Sequence, residues 1–247
     1  MSNDADKKIL AELAVVDAER RRRAVDPALR QRVHALKAYQ QRRFSHTYAD
    51  LLATPRYAAA ARFFLDELYG PSDFTRRDAQ FARVVPALVR LFPREIVLTV
   101  ATLARLHALS ETLDTELASR LPETGDRGIE ADQYIAAWQS TGRADDREQQ
   151  IALTLELAAT LDSLTRKLLI RNSLRLMRGP SRAAGLTELQ GFLETGFDTF
   201  RSMNGAAEFI RIVDEREHLL ARSLFYAQGA SSARALLPNS LITEIRR

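Results

Sequence analysis

Apolar residues recur at spacings of three and four along the whole 247-residue chain, and β-branched or aromatic residues nowhere alternate with polar ones over the length of a strand. That periodicity leaves the helix as the repeating element. Only 10 Gly and 8 Pro punctuate it, and Ala, Leu, Arg and Glu, which lose little side-chain freedom in a helix, dominate the rest. With 46% hydrophobic residues the chain can bury a sizeable core. The expectation is an all-α protein, an irregular multi-helix bundle of about eight to ten helices around a central apolar helix. Residues 1–228 are read as a single helical domain and 229–247 as a loosely held C-terminal tail.

Punctuation sets the expected boundaries. A first amphipathic helix spans Asp4 to Arg23, and Asp26 followed by Pro27 starts a second that runs to about Arg43. After a short segment from Ser45 to Ala53, Thr54 and Pro55 repeat the cap-then-proline signal, so a third helix should run to Tyr69 and stop at Gly70 and Pro71. Thr75 and Asp78 resemble a capping box for a helix through Leu91, with Pro86 as a candidate kink. Pro93 opens a long helix to Arg120, followed by a loop and a short helix around Trp138. Asp146 to Met177 reads as the most apolar helix and is taken as the central one, ended by Gly179 and Pro180. Two more helices follow, Leu186 to Met203 and Ala206 to Gln228, parted by Asn204 and Gly205.

Phe63 to Pro71 reads FFLDELYGP, with LRLMRGP at Leu174 to Pro180 and GFLETGFDTFRSMNGAAEF at Gly191 to Phe209. In these stretches the chain resembles the bacterial FFLEELY motif protein family, with Asp66 where that signature has its first Glu. The resemblance implies a bacterial cytosolic protein and brings no catalytic residue with it. Read physically, Phe63, Phe64 and Leu68 belong to a core face, Asp66 and Glu67 to ion pairs, and Gly70 and Pro71 to a helix stop.

Charge is unevenly spread. Between Arg20 and Arg43 nine cations, Arg20, Arg21, Arg22, Arg23, Arg30, Arg32, Lys37, Arg42 and Arg43, face Asp26 alone, a local +8 within a chain of net +4. Arg20, Arg21, Arg22, Arg23, Arg42 and Arg43 are therefore candidates for binding an anion or a partner, including a nucleic-acid backbone. The plainer reading is a solvated helix end that pairs with the acidic remainder of the molecule.

Cysteine is absent, which excludes disulfides, thiolate metal sites and a cysteine nucleophile. No phosphate loop, nucleophile elbow or His-Glu-x-x-His pair occurs. Among the four histidines, Glu215 and His218 form one Glu-x-x-His, half of what a diiron bundle requires, and a surface ion-pair network with Arg211, Arg216 and Arg222 accounts for them more simply. His107 shares a helix face with Glu111 and Asp114, and Glu156 interrupts the apolar helix, so His107 and Glu156 are the candidates for a cavity between central helices. No cofactor and no metal site is expected. The start, MSNDADKKIL, is acidic where a signal peptide is basic, and the longest uncharged apolar run, Ile96 to Ala104, is short for a bilayer span, so a cytoplasmic location without a membrane span is expected. Three functions fit: a non-enzymatic protein acting through contacts with a macromolecular partner, a small-ligand binder or cofactor-dependent enzyme using the cavity, and nucleic-acid binding through the basic segment.

Overall fold

A computed structural model of the chain describes residues 2–67, 74–123 and 128–226, together with 234 and 236–238. The described residues form helices α1 (Ser2–Val25), α2 (Pro27–Thr47), α3 (Ala49–Ala53), α4 (Ala58–Glu67), α5 (Thr75–Leu91), α6 (Arg94–Arg120), α7 (Ala131–Thr141), α8 (Ala144–Thr165), α9 (Leu168–Leu176), α10 (Arg178–Ala183), α11 (Thr187–Ser202) and α12 (Ala207–Phe225), with no strand among them. The all-α bundle is as the periodicity requires. The helices are more numerous than expected because the chain breaks where its apolar pattern does not.

Local chemistry explains the ends that the sequence marks. The Asp26 carboxylate accepts from the Leu29 N–H at 2.9 Å, with Pro27 in the first turn of α2. At α7, Glu130 and Gln133 form a reciprocal capping box, and Gly142 closes the helix in the left-handed region at φ 65°. α5 runs through Pro86.

Three boundaries depart from expectation. Thr54 closes α3, its hydroxyl donating to the Asp50 carbonyl at 2.7 Å, and α4 starts only at Ala58. The predicted helix over Asp146 to Met177 ends at Thr165, because Lys167 is extended (φ −91°, ψ 104°) and its ammonium lies 2.5 Å from Glu95 at the start of α6. Gly179 and Pro180 do not stop a helix but fall in the first turn of α10, where a missing N–H costs no hydrogen bond; Gly185 at φ 68° follows the end of that helix. The expected stop at Gly70 and Pro71 lies outside the described residues.

α6 is the hub, packing against α1, α2, α5, α7 and α8, whereas α8 packs against α6, α9, α11 and α12. By length and composition α6 is also apolar enough to cross a membrane. Its contacts with five helices and its buried Glu111 and Asp114 are those of an interior helix. Four apolar clusters surround it rather than one continuous centre. The first joins α2, α6, α7 and α12 around Leu36, Leu117 and Trp138, and takes in Leu237 of the tail. The second gathers Tyr48, Phe64, Phe200 and Phe209. The third joins α1 and α5 to α6 through Ile9, Val85 and Val97. The fourth is Leu106 against Leu153 and Leu157.

Leu117 is fully buried, so Leu117→Ala should lower unfolding stability by about 2–5 kcal/mol, as large-to-small core changes do. Val25, 83% exposed between α1 and α2, should tolerate Ala within about 0.5 kcal/mol. Denaturant midpoints of the two variants check the contrast.

Candidate functional site

A cavity of about 1010 Å³ lies between the four clusters, and each of them supplies part of its wall. Leu103, Leu106 and Val100 of α6 face Leu157 and Leu161 of α8, while Phe81 and Leu88 of α5 and Phe192, Leu193 and Phe197 of α11 complete the apolar sides. The stretches that carry the family resemblance meet here. Phe63 and Phe64 of the FFLDELYGP segment, Leu174 and Met177 of LRLMRGP, and Phe192 and Gly196 of the third stretch all line this one space. Phe63 stacks on Phe192 with centroids 5.5 Å apart. Gly196 packs directly on the Phe63 ring, which would have to shift for a Cβ placed there at 3.0 Å. Glu67 pairs with Arg77 at 2.9 Å, and the Arg77 guanidinium lies over the Phe74 and Phe192 rings. Asp66 is exposed, and Leu68 to Pro71 lie outside the described residues.

One polar region of the wall holds buried charge. It forms where the end of α1 and the length of α2 lie against α6, so cations from the basic segment meet carboxylates presented by the hub helix. Glu111 is held from both sides, by Arg23 Nη2 at 2.5 Å and by Lys37 Nζ at 2.5 Å. Gln40 donates to Asp114 Oδ1 at 3.0 Å. Asp78 Oδ2 receives Arg20 Nη2 at 2.5 Å and contacts His107 Nε2 at 2.8 Å. Gln150 links Arg147 to Ser110, accepting from the guanidinium at 2.9 Å and donating to the hydroxyl at 2.8 Å. Glu217 accepts from Arg43 at 2.5 Å and from the Tyr48 hydroxyl at 2.7 Å. Lys37, Gln40, His107, Glu111, Asp114 and Arg147 all border the cavity.

Neighbouring charges divide the two buried acids of α6. Burial pushes the Glu111 carboxyl up, but Lys37 and Arg23 outweigh it and hold the group at about 2. Burial also acts on Asp114 and prevails there, raising its carboxyl above the ordinary range despite Lys37 and Arg147. At Asp78 burial is again opposed, by His107 and Arg20, and the net shift is downward.

The candidate residues are distributed as follows. Of the six arginines proposed to bind an anion or partner, Arg20, Arg23 and Arg43 turn inward onto Asp78, Glu111 and Glu217. Arg21 and Arg22 stay exposed beside Asp17 and Glu19 of their own helix, and Arg42 lies over the Tyr39 ring. His107 lines the cavity. Glu156, read as a cavity residue, is exposed and accepts from Thr102 of α6 at 3.1 Å, and it does not line the cavity. Asp78 does not complete a capping box, since its carboxylate is taken by His107 and Arg20. Glu215 and His218 do not converge: Glu215 pairs with Arg211, whereas His218 contacts Glu148 and Asp214. Among the described residues no three His, Asp or Glu side chains stand close enough to hold a metal ion. Sequence reasoning missed Asp78, Arg147 and Glu217 as members of this network; only the shared face of His107, Glu111 and Asp114 was visible in the spacing.

The two acids should respond to pH in opposite senses. A depressed carboxyl stabilises the fold fully above its ordinary 4.5 and loses that contribution as pH falls toward 2, as for Glu111. A raised carboxyl binds its proton more tightly in the folded chain, so Asp114 favours folding most below 3.8 and progressively less as pH rises through that value. Asp114→Asn should therefore raise the Tm at pH 7, with the gain shrinking as pH falls toward 3.8 and gone below it. Glu111→Ala leaves Arg23 and Lys37 without their shared carboxylate and should cost about 3–5 kcal/mol at pH 7. Thermal melts across pH 2.5–8, read at about one-unit steps, measure both.

Comparison with known proteins gives a family but no counterpart of described activity. No curated protein and no solved structure matches the chain. A family match extends over residues 19–231, spanning both the basic segment and the whole cavity wall contributed by α2 to α12. The chain belongs to the family described as Domain of unknown function (DUF8198).

Proposed function

We propose that this protein binds a lipid-like small molecule inside the bundle, its apolar body along α6, α8 and α11 and its polar group toward His107, Lys37 and Ser110. The observation that carries this reading is the cavity itself: about 1010 Å³, walled mostly by aromatic and aliphatic side chains, with polar groups converging where α2 and α6 meet. Ligand sites share that character, mostly apolar with a few convergent polar groups, at volumes of roughly 300–1000 Å³. An apolar space of this size forfeits dispersion contacts along its whole wall when nothing fills it. The inward pairing of Arg20, Arg23 and Arg43 supports a structural use of the basic segment, and so favours a cavity ligand over a nucleic acid. The resemblance in FFLDELYGP, LRLMRGP and GFLETGF adds to this, since those stretches supply cavity wall; on it we further read the chain as a bacterial, cytoplasmic member of the FFLEELY motif proteins.

Native mass spectrometry of the purified protein should show an added mass in the range of a single lipid or fatty acid. A fluorescent long-chain fatty acid analogue should bind with about one-to-one stoichiometry and be displaced by the extracted ligand. Leu103→Trp, which fills the cavity from α6, should weaken the analogue at least about tenfold while leaving the helical circular dichroism unchanged. Equal affinity of parent and Leu103→Trp, or no binding by either, overturns the reading.

A further inference from the structure

Phe92, Met177 and Leu193 line the cavity and are also exposed, which makes them the rim of its mouth. They come from three places, the α5–α6 junction, the α9–α10 junction and α11. Next to Met177 in the chain, Leu176 stands in solvent, 77% exposed at the end of α9. An isolated exposed leucine is ordinary, but this one adjoins a residue of the rim.

The chain segment that carries Met177 of the rim is basic throughout. From Arg166 to Arg182 the sequence carries Arg166, Lys167, Arg171, Arg175, Arg178 and Arg182, and no acid occurs between Asp162 and Glu188. Ion pairs engage some of these: Arg166 with Asp162, Lys167 with Glu95, Arg171 with Asp198 and Arg178 with Glu194. Arg175 and Arg182 extend from the exposed side of α9 and α10. Across the mouth, Arg90 and Arg94 flank Phe92, and both are exposed. Exposed apolar side chains among cations are the composition of a helix that lies in the headgroup layer, its arginines at the phosphates and its apolar residues below them.

We propose that the α9–α10 face, with Phe92 and Leu193, docks the protein on an anionic lipid bilayer and sets the cavity mouth against it. The occupant is argued from charge complementarity and from continuity with the apolar opening; it rests on the reading of the cavity as a lipid-like site. A ligand then passes between bilayer and bundle without crossing water.

Flotation of the full chain with vesicles tests this. Phosphatidylcholine vesicles containing a quarter phosphatidylglycerol should carry the protein up the gradient, pure phosphatidylcholine vesicles should not, and raised salt should weaken the association. Arg175→Glu with Arg182→Glu should reduce vesicle binding about tenfold or more, and Leu176→Ser should reduce it without altering the salt dependence. Neither variant should alter binding of the soluble fatty acid analogue, because neither position lines the cavity. Unchanged vesicle binding in the charge-reversed variant overturns the docking face while leaving the cavity reading intact. Loss of analogue binding in the parent protein overturns the cavity reading instead. Preferential binding of generic RNA over the anionic vesicles, lost in the same charge-reversed variant, also overturns the proposal by assigning the face to nucleic acid.

Discussion

The Glu111 carboxylate, buried on α6 between Arg23 and Lys37, fixes how the N-terminal half of the molecule meets the hub helix. A lone ion at that depth would be too costly to keep charged, and two cations from different helices compensate it only in one arrangement of α1, α2 and α6. Arg20 on Asp78 ties α1 to α5 in the same way, and Gln40 on Asp114 repeats the tie from α2. These contacts exchange little net stability against an apolar core of equal volume, but a shift of one helix turn would leave several buried charges unmatched. They act as a register device for a bundle whose leucine-rich surfaces could pack in more than one way.

That device also shapes the cavity. Ion pairs pin α1 and α2 to α6, and the apolar surfaces of α5, α8 and α11 leave the cavity open beside it. Four separate clusters result in place of one continuous core. Aromatic pairs hold the wall and the cluster behind it: Phe63 on Phe192 at the cavity, and Phe64 on the buried Phe200 and Phe209. The polar network is thus both a structural lock and the polar wall of the proposed site. Substitutions in it will alter stability and ligand affinity together, whereas wall positions such as Leu103 separate the two.

Much of the fold was legible because local rules governed it. Asp26 with Pro27 fixed a boundary through a side-chain cap and a preset φ, and Asn204 with Gly205 marked the turn between α11 and α12 through positive φ. The break in the apolar helix at Lys167 was not legible, since apolar spacing continues through it and the Glu95 that Lys167 meets there belongs to a helix some seventy residues earlier. Thr54 misled because the same hydroxyl that can cap a following helix can close the preceding one. His107 was placed beside a pocket by its spacing from Glu111 and Asp114, but Glu156 was not distinguishable from a buried acid, because a helix pattern with apolar residues on several sides does not say which face is inside.

By itself, the sequence determined that this chain is helical, where its capped helices begin, and that positive charge is concentrated between residues 20 and 43, since propensity, capping and net charge depend on residues near one another in the chain. Only the tertiary structure decided that half of the arginines singled out there turn inward, that three separate stretches share one apolar cavity, and that a second basic segment rims its mouth. Those outcomes depend on which carboxylate or ring a side chain meets across the bundle, and helical periodicity specifies a face without specifying its partner.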